Sequence, residues 1–332
     1  MKSARKGLVE TVVASIILSL FLVAGFAFSL AAAEDFPTRA ITVIAPADPG
    51  GAIDLGARAF ATTAEKYLGK PVVVVNKPGG QGLPATLDLI KSKADGYTIA
   101  FLIITHVIPE TYKYFLKGEP PYTSKDVQPI GQTTKSAQML AVSTDAQWKT
   151  FADLVAYVRK NPGFKYGSNP EGTLPSLSMH IVAKKENIKW TPVPLVEDGK
   201  IITALLGGHV PAGTVSYGAL RSHMEAKTLR PLVVFSDERL SQSPDTPCLS
   251  ELGYDLPYVS SMGLYGPKGI PAPALKKLEE AIKKVTEDPS FKEKAKQIGV
   301  QVSYKSAADF AKTIDKNKSN LEKLFKEMGY VR

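Results

Sequence analysis

One cysteine, Cys248, stands in 332 residues. No disulfide can close within the chain and no cysteine metal cluster can form, so Cys248 is expected to act as a small apolar residue. Histidine is scarce too. His106, His180, His209 and His223 lie at spacings that match no metal-ligand pattern. A G-x-S-x-G elbow is missing, which removes the commonest serine-hydrolase signature. No Gly-Lys-Ser/Thr follows a glycine loop, which excludes a P-loop. Basic residues are not interleaved with aromatics, so the net charge of +9 does not read as a single-stranded nucleic-acid surface. These absences leave little room for catalysis, and neither an enzyme nor a cofactor is expected.

What is present is a globular composition. Hydrophobic residues make up 44% and charged residues 22%, with both signs mixed along the chain. That supports a sizeable core, and the length suits two domains. Residues 1–33 look like an export signal: Lys2, Arg5 and Lys6, then an apolar run over 8–30, then Ala31-Ala32-Ala33 before Glu34-Asp35. Cleavage after Ala33 is expected, with retention as an anchor as the alternative. No later run has transmembrane length, so the mature protein is expected to be soluble and periplasmic. It keeps a surplus of basic residues, which suits an anionic ligand.

Strands and helices alternate after the signal. Residues 41–45, 72–75 and 97–103 read as strands, with helices over 54–68 and about 84–92. Gly69 closes the first helix. The pattern restarts with a strand at 138–142, a helix opened by the capping box Thr150 to Asp153, and a helix over about 174–185. Further strands are expected at 190–195, 210–215 and 229–235. The tail is helical, with Leu275, Leu278, Ile282 and Val285 on one face, then Phe310, Ile314, Leu321, Leu324 and Met328 on another. The alternation predicts an α/β architecture in two lobes, each a mostly parallel sheet flanked by helices, linked through 133–137 and 255–260. Lobe 1 is expected to hold 34–135 and 257–332, and lobe 2 136–256.

Ligands bind beyond the carboxyl ends of parallel strands. Three loops are expected there. The first carries Asp48, Pro49, Gly50, Gly51 and Asp54. Its glycines admit a ligand to main-chain amides beside a helix N-terminus, and Asp54 either caps that helix or touches the ligand. The second is Asn76-Lys77-Pro78-Gly79-Gly80-Gln81-Gly82. Gly80, Gly82 and Ala85 fit a dinucleotide pattern formally, but no acidic group follows the next strand, which ends at Thr105 and His106. The plain alternative is a tight turn. The third runs from Gly167 through Ser168 to Thr173, which either caps a helix or faces the ligand.

At these loops the chain resembles the substrate-binding receptors of tripartite tricarboxylate transporters, also called the Bug family. The resemblance rests on the F-P-T-R-A-I-T start, Pro49-Gly50-Gly51 with Asp54 and Arg58, and the strand and glycine loop over 72–82. It continues through Asp95-Gly96-Tyr97-Thr98, Asn161-Pro162-Gly163, Tyr166-Gly167-Ser168 and Leu205-Leu206-Gly207-Gly208. It implies a two-lobed periplasmic binding fold that closes on a small organic acid or related carboxylate. The partners implied are two integral membrane transporter subunits, and the chain is expected to be a monomer that binds no nucleic acid. A sensor kinase as partner and a periplasmic enzyme are the alternatives.

The ligand-binding residues expected are Asp48, Pro49, Gly50, Gly51, Asp54, Gly79, Gly80, Gln81, Thr105, His106, Ser168, Thr173 and Ser176. The chain departs from the family pattern in places. Asp48 replaces an apolar residue, Gln81 and Ala85 replace glycines, Ser176 replaces a histidine, Pro211 replaces an aspartate, and 194–199 replaces a Tyr-Lys-Gly stretch. Asp48 and Glu197 are expected to favour a ligand that also carries a cationic or hydroxyl group.

Overall fold

Apolar runs of strand length, rich in β-branched residues, form one side of the first lobe's sheet. In the computed structural model, which describes residues 36–109, 119–195 and 197–328, they become β1 (Ile41–Ala45), β2 (Val72–Asn76) and β3 (Thr98–Ile103). The proposed signal, 1–33, lies outside the described residues. Between β1 and β2 runs α1 (Ala52–Leu68), which buries Ala57, Phe60, Ala61, Ala64 and Leu68 at helical spacing. Gly56 is glycine for a packing reason, since a Cβ there would lie 3.0 Å from the Phe101 ring. Gly69 ends α1 in the left-handed conformation, as expected. Helix α2 (Leu83–Lys91) leads from β2 to β3.

The chain then runs through β4 (Val127–Ser136) and, after the single residue Ala137, into β5 (Gln138–Ser143). Helix α3 (Phe151–Lys160) opens with the expected reciprocal capping box, Thr150 with Asp153. Then come β6 (Phe164–Ser168), α4 (Leu174–Glu186), β7 (Trp190–Pro194), α5 (Asp198–Leu206), β8 (Gly213–Ser216), α6 (Tyr217–Glu225) and β9 (Leu229–Val234). The strand expected at 210–215 pairs only from Gly213, after Pro211, which has no N–H to donate. Pro192 and Pro194 are tolerated in β7 because it is an edge strand. The chain returns through β10 (Ser261–Pro267), α7 (Ala272–Glu287), α8 (Pro289–Gln297), β11 (Val300–Lys305) and α9 (Ala307–Glu327).

The result is two sheets with helices packed on them, as expected. Their order is β11-β4-β10-β3-β1-β2 and β7-β6-β8-β5-β9. The sheets are mixed, however, where mostly parallel sheets were expected. β1 pairs parallel with β2 and β3, and β6 with β7 and β8. β10 and β4 run antiparallel to their neighbours, and so does β5. The reversal comes from the strands that carry the chain between the sheets. They belong to no βαβ unit, so nothing imposes a parallel sense on them.

This topology fixes where the two sheets face each other. β10 is antiparallel to both β3 and β4, so β4 ends at the same edge as β1, β2 and β3. Ala137 follows at once, and β5 begins beside Ser216, the last residue of β8. The carboxyl ends of the parallel strands in both sheets therefore meet at the crossing. Helix α9 spans it. Phe310 packs on Tyr265 of the first sheet with ring centroids 5.1 Å apart, while Glu327 pairs with Lys184 of the second unit at 2.9 Å. At the far side of the first unit, Asp288 accepts from Tyr67 and Lys66 and ties α1 to the start of α8.

Candidate functional site

Because β3, β1 and β2 are adjacent and parallel, the loops that follow them lie side by side. The first and second are wired together by side chains. Asp54, on the first turn of α1, is 1% exposed. Its carboxylate accepts the Gly50 N–H at 2.9 Å, the Arg58 Nε–H at 3.0 Å and an Asn76 Nδ2–H at 2.8 Å. Asn76 ends β2. It also donates to the Ala47 carbonyl at 3.0 Å and accepts from Arg58 at 2.9 Å. Burial pushes the Asp54 carboxyl up, but the bonds from Arg58, Gly50 and Asn76 outweigh it and hold the group below its ordinary value.

This network corrects two expectations. The Gly50 amide was expected to stand open, and here it is donated to Asp54. The Gly51 amide is donated to the Asp48 carbonyl at 3.0 Å. Both are used to close the loop, because a sharp turn with Gly50 at φ 86° leaves these N–H groups pointing inward. Asp54 does not fill the capping role expected of it. It is not the N-cap residue, which is Gly51, and its carboxylate is spent on the loop. The N–H groups that open α1 at Ala52 and Ile53 precede the first intrahelical bond, which Leu55 makes to Gly51. Asp48 and Pro49 are exposed beside them.

The second loop turns through Gly79, Gly80 and Gly82, all at positive φ, with a 3-10 turn over Gly80–Gly82 that includes the Gln81 backbone. Gly79 and Gly80 are exposed. Gly82 is buried against His106, with all the ring atoms nearest its missing Cβ at 2.9 Å. His106 lies in the short turn after β3, 5% exposed, with no hydrogen-bond partner at Nδ1. Burial pushes its pKa down to about 4, so it is neutral at pH 7. Thr105, beside it, is half-buried.

The second unit supplies the other expected residues. Ser168 ends β6 and is 3% exposed. Thr173 occupies the N-cap position of α4, but its hydroxyl donates to the Pro170 carbonyl at 2.7 Å and makes no cap bond. Ser176 is half-buried on the first turn of α4. Sequence reasoning missed a further polar group at this edge. Asp198, which opens α5, accepts the Ser216 N–H at 3.0 Å and an Asn169 Nδ2–H at 3.4 Å. Asn169 is held in turn by the buried Thr214, whose hydroxyl donates to its Oδ1 at 2.9 Å. The signal missed was the adjacency of β6 and β8, which only the sheet order reveals.

The expected residues thus fall into two groups. One lies on the loops after β1, β2 and β3, the other after β6 and at the start of α4, each at a carboxyl edge. Such an arrangement offers main-chain donors, hydroxyls and carboxylates across a crossing of two lobes, which suits capture of a polar small molecule.

Comparison with known proteins shows the family. The family model described as "Tripartite tricarboxylate transporter family receptor" matches residues 56–330. A Cupriavidus necator protein, "UPF0065 protein in gbd 5'region", is 32% identical over 301 residues, 89% of this chain and 90% of that one. The crystal structure of a TctC solute binding protein from Polaromonas shares 26% identity at a TM-score of 0.78, covering 88% of this chain and all of the other. The structure of R. palustris Rpa4515 with adipate, at 24% identity, shares the fold with a TM-score of 0.72 over 89% of this chain and 99% of its own.

Proposed function

Since the chain belongs to the tripartite tricarboxylate transporter receptor family, a family of solute-binding receptors and not of enzymes, we propose that it captures a small carboxylate in the periplasm. It then delivers that ligand to the two membrane subunits of a tripartite transporter. The observation that carries this is the convergence of both carboxyl edges on Ala137, with the two glycine loops joined through Asp54, Asn76 and Arg58. A periplasmic location fits the export signal expected at 1–33 and a neighbour of the same fold described as a periplasmic binding protein.

The ligand carboxylate is received by the opening N–H groups of α1 at Ala52 and Ile53 and by the exposed turn at Gly79 and Gly80. The helix end adds ~0.3–1 kcal/mol to an anion there, and up to ~2 when partly buried. Asp54, Gly50 and Gly51 shape the pocket and do not contact the ligand. Asp48, Pro49, Gln81, Thr105 and His106 frame it from the first lobe, and Ser168, Thr173 and Ser176 from the second. The lobes comprise 34–135 with 257–332, and 136–256. A ligand that touches both prefers the closed state and so drives closure. The structurally similar R. palustris protein with adipate supports an organic acid as the ligand class.

A thermal-shift screen of organic acids tests the proposal. A ligand at about a hundred times its dissociation constant stabilises the fold by about 2.7 kcal/mol. The proposal expects at least one small carboxylate to raise the melting temperature, and neutral sugars to leave it unchanged. A panel in which only uncharged solutes raise it overturns the carboxylate assignment.

A further inference from the structure

Asp198 differs from three other carboxylates near the crossing. Asp54 is compensated by the Arg58 guanidinium at 2.9 Å. Glu197, expected to bear on ligand choice, is exposed and paired with Lys200 at 3.1 Å. Asp48, the other residue expected to do so, is exposed beside the first loop. Asp198 is half-buried and makes no ion pair among the described residues. Its partners are neutral: the Ser216 N–H and the Asn169 amide. In a chain of net charge +9 that leaves a fixed carboxylate without its own cation.

Its place in the fold makes this informative. Ser216 sits opposite Gln138, one residue beyond Ala137, so Asp198 is held at the crossing itself. Thr214 fixes the Asn169 amide so that its NH2 group faces Asp198 and its oxygen faces the Thr214 hydroxyl. Asp198 is therefore pre-oriented through three residues, Thr214 and Ser216 of β8 and Asn169 just after β6. A carboxylate fixed by neutral donors retains acceptor capacity on both oxygens, since each has two lone pairs and accepts one bond here. A charged acceptor of this kind makes hydrogen bonds about twice as strong as neutral ones.

We propose that Asp198 is a specificity-determining residue that accepts a hydrogen bond from a hydroxyl or ammonium group of the ligand. The ligand class is then a carboxylate that bears a second, donating group, in contrast to a plain dicarboxylate. This rests on the carboxylate capture proposed above. The acid group goes to the first lobe and the donor to Asp198 in the second, so one small molecule engages both lobes. A plain dicarboxylate such as succinate brings no donor to Asp198, so closure leaves that acceptor unmet, which disfavours it.

Isothermal titration of the full mature chain with succinate, malate and aspartate tests this, because the three differ only in the group at one carbon. The proposal expects malate or aspartate to bind at least about tenfold more tightly than succinate. An ammonium partner gives the advantage to aspartate and a hydroxyl partner to malate. In Asp198→Asn, which keeps an acceptor for Ser216, the donor-bearing acid should lose about tenfold while succinate binds as well or better. Equal binding of the three acids to the wild type, or a preference that survives in Asp198→Asn, overturns the role of Asp198 alone. Should Asp198→Asn fail to fold, the wild-type comparison still decides. If none of a wider set of carboxylates binds, the carboxylate capture itself fails and the assignment falls with it.

Discussion

Asp54 shows how one side chain governs a loop it does not extend. Replacing it with alanine removes the acceptor for Gly50, Arg58 and Asn76 together. Loss of hydrogen bonds to a buried charged group costs about 1–3 kcal/mol, and Arg58 is half exposed, so water recovers part of that. Asp54→Ala is therefore expected to lower stability by about 1–3 kcal/mol yet weaken ligand binding by more than Arg58→Ala, which leaves Gly50 and Asn76 on the carboxylate. Denaturant melts beside titrations measure both. His106 makes a separate prediction about pH. Its folded pKa is near 4 against an ordinary 6.5. Below 6.5 the unfolded chain binds a proton that the folded one refuses, so stability falls as pH drops from 6.5 towards 4. His180, also held low by burial, contributes in the same direction. A His106→Leu variant should show a shallower slope over that window. Asp288 acts lower still. Its carboxyl is held far below 3.8 by Tyr67, Ser290 and Lys66, so the stability it confers is present above 3.8 and is lost in stronger acid.

Among the elements, the glycine turn after β2 tests whether position or composition matters. Gly79 and Gly82 both have positive φ, yet a Cβ on Gly79 meets nothing within 4 Å and one on Gly82 meets His106 at 2.9 Å. Gly79→Ala should cost only the left-handed strain, about 1–3 kcal/mol. Gly82→Ala should cost at least about 1 kcal/mol more, as overpacking does, and urea melts of the pair measure the difference. The glycines themselves were legible as loop markers, and so were the Thr150 capping box, the Gly69 stop and the Phe310 to Leu324 stripe. These signals are local, written within four residues of each other. The sense of β10 and β4 was not legible, since it depends on which strand each meets after long excursions. Nor was the internal use of the Gly50 and Gly51 amides. A sequence marks where a backbone is bare but not which acceptor folds back onto it. Asp198 escaped for a similar reason, because its partners, Asn169 and Ser216, are 29 and 18 residues away.

For the whole molecule, the crossing is lined by contacts that a closing motion must accommodate. Gly218 of α6 touches the turn at Ile298 and Gly299, where a Cβ on Gly299 would sit 2.3 Å from the Gly218 Cα. Lys135 at the end of β4 reaches Asp237 and Glu238 beyond β9, at 3.4 and 3.0 Å. Gly299→Ala should hold the lobes apart and weaken ligand binding. Gly163→Ala, with the same positive φ but open space around it, should cost stability and spare binding. Small-angle scattering and titration of both variants separate the two effects. Capture as proposed requires an anion seated between the lobes at the loops after β1 and β2. A crystal structure with the tightest-binding acid tests this most directly. The predicted result is a carboxylate within hydrogen-bond distance of the amides of Ala52, Ile53, Gly79 or Gly80, with Asp54 still bound to Gly50. An acid lodged elsewhere, or one that displaces Asp54 and takes the Gly50 amide, contradicts it.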